Sequence, residues 1–374
     1  MIVVPQINYI IYMLPLNFPL LVLKKFNKIA ETFLWSGKSP SLNRTKLYAA
    51  KEDGGLAMPR VHWYHYAFSL NQLSKIYGAD GQSPAWVSIE RELTEPFSIH
   101  AFMTQTEGEI PFNSPLLRFE RETWRTSHQI VGSKPLFTRR SSLWNNKLLK
   151  VGRKVLFWRT WTEAGIIYIE DVLEGDKFIS FEQMMTKYHI PKTAFWKYLQ
   201  LRSCLLSMQK RTPLIKQTLV QEMIQASQLT KKTASAFYSL MRQSHPPGLS
   251  GLKKVWEEDL GGEISEEMWK DITGSWYKIS REIQTRLIIY KIIHRCYWTP
   301  CKMAKLKLRD SDLCWRCHRS KGTLSHMLYD CHLTQNLWKT IIGFVNKVLG
   351  TKFVQNPALC PLGIGMSYLI VYPV

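Results

Sequence analysis

The sequence predicts a mainly α-helical fold that ends in a small Cys-rich module, and two observations support this. Apolar residues recur at three- and four-residue spacing along most of the 374 residues, while long stretches that alternate as strands do are few. Five of the seven cysteines (Cys296, Cys301, Cys314, Cys317 and Cys331) cluster near the C-terminal end, whereas Cys204 and Cys360 stand alone. The length suffices for two or three domains of roughly 100–200 residues with a buried core, so a small disulfide scaffold is excluded.

The elements follow in order. Leu21, Phe26, Ile29, Phe33 and Leu34 make one face of a helix over 20–35, closed by Ser36-Gly37. Gly54-Gly55 and Pro59 punctuate the chain before a second, aromatic-rich helical run over 62–77. Residues 78–120 are rich in Gly, Pro, Ser and Thr and poor in periodicity, and they read as loop with short elements. Helical stretches resume over 181–206 and 213–242. His245-Pro246-Pro247-Gly248 is the strongest breaker in the chain and marks a domain boundary. An acidic excess follows at 255–259 and 263–272, as suits helix starts.

The charge balance is uneven. Fifty Lys and Arg against 29 Asp and Glu leave a net +21, a field that attracts polyanions, nucleic acid before an anionic membrane surface. Two strips carry much of it. The first, 134–159, holds Lys134, Arg139, Arg140, Lys147, Lys150, Arg153, Lys154 and Arg159 with no acid, interleaved with Phe137, Trp144, Phe157 and Trp158. The second, 286–321, includes Arg295, Lys302, Lys305, Lys307, Arg309 and Arg316 beside Trp298 and Trp315. Each strip suits a phosphate-tracking face with aromatics for base stacking, and equally a solvated helix face whose aromatics turn into the core. The apolar run 9–23 is interrupted by Pro15 and Pro19, carries no basic n-region and is read as neither signal nor anchor. Asn43-Arg44-Thr45 is read as a chance sequon.

The most specific pattern is Cys314-Trp315-Arg316-Cys317, eight residues, His326, four residues, Cys331. Three thiolates and an imidazole make a full tetrahedral set, and a C-x2-C turn brings two sulfurs about 3.7 Å apart, as Zn–S bonds of ~2.3 Å require. One structural zinc ion is the expected cofactor, with Gly322 providing the turn in the spacer and His318 and His332 as competing ligands. In a reducing compartment, cytoplasm or nucleus, such spacing is more often a zinc site than a bridge framework. Cys296, Cys301 and His294 lack a clear fourth ligand and are read as structural. No phosphate-binding loop, zinc-protease, nucleophile-elbow or dinucleotide motif is present, nor any Asp-Asp pair of the kind a polymerase palm presents to its two metals. No catalytic residue is therefore assigned.

These residues resemble the polyprotein of LINE-type non-LTR retrotransposons, downstream of the reverse transcriptase active site, and the resemblance covers nearly the whole chain. Leu14-Pro15-Leu16, Phe33-Leu34-Trp35-Ser36-Gly37-Lys38 and Gly54-Gly55-Leu56-Ala57-Met58-Pro59 look like the thumb. Ser142-Leu143-Trp144-Asn145-Asn146 and Trp158-Arg159-Thr160-Trp161 look like the helical connector. Trp256-Glu257-Glu258-Asp259-Leu260 and the run from Tyr290 through Pro300 resemble the approach to the C-terminal domain. Cys314, Cys317, His326 and Cys331, followed by Leu337-Trp338, match its Cys-rich zinc-binding motif. The resemblance implies a thumb-like segment at 1–77, a connector at 78–245 and a Cys-rich domain at 246–374.

It further implies a non-catalytic, zinc-stabilised nucleic-acid-binding fragment, from a 5′-truncated copy lacking the endonuclease and palm. Its expected partners are RNA or another single strand and the palm of the parent polyprotein, with no membrane and no small-molecule substrate. The alternative is a decayed relic or scaffold without nucleic-acid function, in which Leu14, Phe18, Leu21 and Phe33 are exposed for want of a palm.

Overall fold

A computed structural model of the chain describes residues 3–14, 16–17, 19–37, 42–77, 83–94, 99, 103, 114–133, 137–227, 232–246 and 248–362. Pro15, Phe18, Lys38, Lys134, Pro247, much of 78–120 and the 368–374 tail lie outside the described residues. The fold is mainly α, and its only paired strands among the described residues form two short hairpins. No helix among them is long and apolar enough to cross a membrane.

The chain divides into two compact units that cut across the linear segments. Met1–Ile29 and Arg60–Ser244 form the first, Ala30–Pro59 and His245–Val374 the second. The helix Leu20–Leu34 runs through one passage between them, and the breaker beside Pro246 lies at another.

In the first unit the helix Val61–Leu73 packs against Val3–Met13, Pro115–Ile130 and Thr233–Gln243, which explains its near-uniform hydrophobicity. Its Trp63, Ala67, Leu70 and Leu73 meet Val87, Leu117, Trp124, Val220, Ile224, Phe237 and Met241 in one core. A separate core gathers Phe137, Leu143, Trp144, Leu149, Leu156, Trp161, Ile166, Tyr198, Leu201 and Leu205. The run over 181–206 is two helices, Phe181–Tyr188 and Phe195–Arg211, parted where His189 adopts φ 54° ahead of Pro191. The run over 213–242 is likewise Leu219–Ser227 and Thr233–Gln243.

Two expectations are corrected. Residues 78–120 hold the helix Ala85–Thr94 and the start of Pro115–Ile130, the latter capped by Ser114, whose hydroxyl accepts the Leu117 N–H, with Pro115 in its first turn. The basic strip at 134–159 is not a helix face. It contains the hairpin of Lys150–Val151 with Lys154–Val155, turned at Gly152.

The second unit packs Trp256, Ile264, Trp269, Ile272, Trp276, Tyr290, Ile293 and Leu324 together. The Trp256 indole N–H donates to the Ile293 carbonyl at 2.9 Å, and His294 Nε2 donates to the Gly54 carbonyl at 2.7 Å. Burial holds the His294 imidazole down to about 4, so it is neutral. Asn43 caps Arg44–Tyr48 by accepting the Thr45 N–H, which gives that position a local structural role.

Candidate metal centre

Residues 313–331 fold the four candidate ligands together by local geometry. Leu313 bridges Lys321, and the Cys314 N–H donates to the Ser320 carbonyl at 2.8 Å, so the chain reverses within seven residues. His318 completes the reversal at φ 55°, donating its N–H to the Cys314 carbonyl at 3.0 Å. This turn brings the thiols of Cys314 and Cys317, three residues apart, within 4.8 Å of each other. The Arg316 N–H lies 3.4 Å from Cys314 Sγ, and the amides of Arg319 and Ser320 pull the Cys317 thiol down to about 6.

The other two ligands share one wide turn. His326–Asp330 is π-helical, and the Cys331 N–H closes it on the His326 carbonyl at 2.9 Å. A π turn is rare and recurs at functional sites. Here it holds His326 and Cys331 at the two ends of a single hydrogen-bonded ring, with the His326 N–H anchored on Thr323 Oγ1 at 3.1 Å. Cys331 then begins the helix His332–Leu349.

The ligand atoms of Cys314, Cys317, His326 and Cys331 all lie within 4.8 Å of one another, and Cys317 Sγ is 3.3 Å from His326 Nε2. Sulfurs on one tetrahedral ion sit about 3.7 Å apart, so small side-chain rotations suffice for the group to hold one metal ion. Cys314 and Cys331 are buried and Cys317 half-buried. His318 and His332 are exposed and stand outside the group.

Gly322 is needed for a different reason from the turn the sequence suggests. Its φ is not left-handed, but a Cβ there would sit 2.4 Å from Cγ of Pro300. The Gly322 N–H donates to Asp312 and its carbonyl accepts from the Cys301 N–H at 3.3 Å, so the cysteine hairpin is pressed onto the start of the helix Pro300–Lys305. Gly322→Ala is expected to destabilise the second unit by about 1–3 kcal/mol through overpacking. A thermal melt of the variant beside the parent checks it.

Cys296, Cys301 and His294 do not form a metal-holding group among the described residues. His294 is committed to Gly54, burial pushes the Cys296 thiol up to about 11, and Cys301 Sγ faces the Asp312 carbonyl.

The basic and aromatic candidates separate into available and occupied. Trp298 is 51% exposed with Lys302 Nζ 5.1 Å from its ring centre, and Trp315 is 43% exposed with the Arg309 guanidinium at 5.7 Å. Lys305 and Lys307 are exposed beside them in sequence. Arg316 is exposed too, its guanidinium bonded to the Met327 carbonyl.

Lys147, Lys150, Arg153 and Lys154 are exposed on the hairpin and its approach. The expectation that Trp144 offers a stacking face is corrected, and four other candidates are engaged in contacts of their own. Trp144 is fully buried, its indole N–H bonded to the Ile166 carbonyl at 2.6 Å, and it offers no stacking face. Trp158 is half-buried against Trp144 and Trp161. Arg139 pairs with Asp176, and Arg140 with Glu170 at 2.8 Å. Arg295 pairs with Asp259 at 2.6 Å and stacks 4.7 Å over Trp256, so it belongs to the core.

A cation that the strips omit also emerges, Lys197, whose Nζ lies 5.9 Å from the Trp158 ring. Its signal in the sequence is weak, one of four cations in a helix without acids.

No family model matches the chain.

Proposed function

We propose that the chain is a non-catalytic, zinc-stabilised nucleic-acid-binding portion of a LINE-type retrotransposon reverse transcriptase polyprotein, with a preference for RNA. The observation that carries this reading is the Cys314, Cys317, His326 and Cys331 group with two exposed tryptophans close by in sequence, each with a cation over its face. Three thiols and an imidazole suit zinc above other divalent ions, and a complete set of four leaves no position for water or substrate, so the ion is structural. Trp298 and Trp315 are platforms for unstacked bases, while Lys302, Lys305, Lys307, Arg309 and Arg316 meet phosphates, an arrangement that favours single strands over duplex DNA.

If about six phosphates are neutralised on a single strand, log K falls with log salt at a slope of roughly −4. Fluorescence anisotropy of a labelled RNA across a salt series measures it, and a flat dependence removes the reading.

A second reading, a relic or scaffold without nucleic-acid function, is favoured by one observation. Leu14, Leu21 and Phe33 are exposed, Leu21 by 78% and Phe33 by 87%, so large apolar side chains at the start of the chain face solvent among the described residues. That reading requires no salt-dependent binding, which the same series decides.

A further inference from the structure

We infer that the face formed by the hairpin Lys150–Val151/Lys154–Val155 and the helix Phe195–Arg211 is a second, separate binding track for a single-stranded nucleic-acid backbone. The nucleic-acid class rests on the reading above, but the site lies in the first unit and shares no residue with the Cys-rich module.

No Asp or Glu occurs between Glu122 and Glu163, and none between Glu182 and Glu222. The acids of this region are confined to 163–182. There they neutralise the cations nearest them, Asp176 taking Arg139, Glu170 taking Arg140 and Glu163 taking Arg159. Among the described residues, Lys150, Arg153, Lys154, Lys197 and Arg211 carry no ion pair. The acids are therefore gathered on 163–182, while the hairpin and the helix Phe195–Arg211 carry cations and no acid at all. An evenly solvated surface would not need that sorting.

Packing then joins the two acid-free stretches. Leu149 and Leu156, flanking the hairpin, are buried with Leu201, Leu205 and Met208 of the helix. The Cys204 thiol donates to the Lys150 carbonyl at 3.3 Å, which fixes the helix side that faces the hairpin. Lys197 and Arg211 lie seven residues before and after Cys204, two helical turns away on that same side. The proximity of Lys197 to Trp158, just past the hairpin, agrees with this placement.

Lys197 and Arg211 are thus about 21 Å apart along the helix, with Lys150 near the midpoint and Arg153 and Lys154 at the hairpin tip. At 3.4 Å per phosphate of a stacked strand, that track spans about six phosphates. Trp196, 75% exposed and adjacent to Lys197, gives it a base-stacking face.

The test uses the full chain and a labelled 20-nucleotide oligouridylate. Lys150→Glu/Arg153→Glu/Lys197→Glu is compared with Lys24→Glu/Lys270→Glu/Lys347→Glu, which changes net charge equally at exposed sites elsewhere. Circular dichroism confirms that both fold. The hairpin set is expected to lose about tenfold or more in affinity and to flatten the salt slope by about 2, three contacts at ~0.7 each. The control set is expected to keep the parental slope.

Equal behaviour of the two sets would overturn the inference, as would a loss seen only on phosphatidylserine vesicles with oligouridylate binding intact. A third set, Lys302→Glu/Lys305→Glu/Lys307→Glu, reports on the Cys-rich surface alone. Weakened binding there beside an unaffected hairpin set removes this track and leaves the functional reading standing. Absence of binding by the parental chain removes both.

Discussion

If Cys314, Cys317, His326 and Cys331 hold the proposed zinc, withdrawing it is expected to unfold the Cys-rich module while the first unit keeps its own transition. Apart from Leu324 and Leu328 against the second unit's core and the Gly322 contacts with Pro300, Cys301 and Asp312, the module has little to hold it. Between 313 and 331 the described structure offers one isolated bridge, one reversal and one π turn. Of its large apolar side chains only Leu324 is buried, whereas Leu313 and Trp315 face solvent. Short segments of this kind do not bury enough apolar surface to offset their chain entropy.

A structural zinc site contributes its binding free energy directly to folding, on the order of 10–16 kcal/mol in finger peptides at neutral pH. Even a fraction of that exceeds what the hydrogen bonds here supply at about 1 kcal/mol each. Parental protein is expected to carry one zinc per chain by atomic emission, and Cys317→Ser close to none. Chelation or the same substitution should expose 313–331 to limited proteolysis, with fragments ending near Lys321 and Arg316. A zinc-free chain whose module stays protease-resistant would show that the thiols are merely a buried cluster.

The features that could be read from the sequence are those decided locally. The ligand set is one, because spacings of three, nine and five residues are closed by a single reversal and a single π turn. The helix Leu20–Leu34 is another, since its apolar spacing stands without knowledge of a partner. What escaped depends on contacts distant in sequence. Trp144 in a basic strip has the composition of a stacking platform, yet its indole is spent on Ile166, twenty-two positions on. Arg295 sits in the second strip but answers to Asp259, and Gly322 is fixed by Pro300 rather than by its own backbone.

The helix Pro115–Ile130 escaped for another reason. Its buried face includes Glu120, Arg121, Thr123, Ser127 and His128 alongside Leu117, Phe119 and Trp124, so polar residues occupy core positions and break the apolar period.

That polar face carries the second large expected effect, a stability maximum between acid and alkali that Glu120→Gln broadens on the alkaline side. Glu90 on Ala85–Thr94 and Glu120 on Pro115–Ile130 are both buried and hydrogen-bonded to each other. Burial raises both carboxyls, and for Glu120 the neighbouring Glu90 charge raises it further, so the pair holds a proton that ordinary carboxylates release. A carboxyl whose folded value burial raises makes its full contribution to the fold below its unfolded value near 4.5, where it is protonated in both states. That contribution is lost as pH rises through the folded value.

Buried histidines act with the opposite sign. His65 and His128 are held down to about 4 by burial, His128 donating from Nδ1 to the Trp124 carbonyl while Nε2 accepts the Thr218 hydroxyl. Their neutral forms stabilise fully above about 6.5, and the contribution is lost as pH falls through 4. The first unit should therefore be most stable near pH 6. Glutamine at 120 keeps a donor for Glu90 and removes the second titration, which should make the variant more stable than the parent by about 1–3 kcal/mol at pH 8. The gain should shrink towards pH 5, where the parental pair keeps its proton. Thermal melts of both proteins across that range measure the difference, and a gap that does not change with pH would show that the two carboxyls do not share a proton.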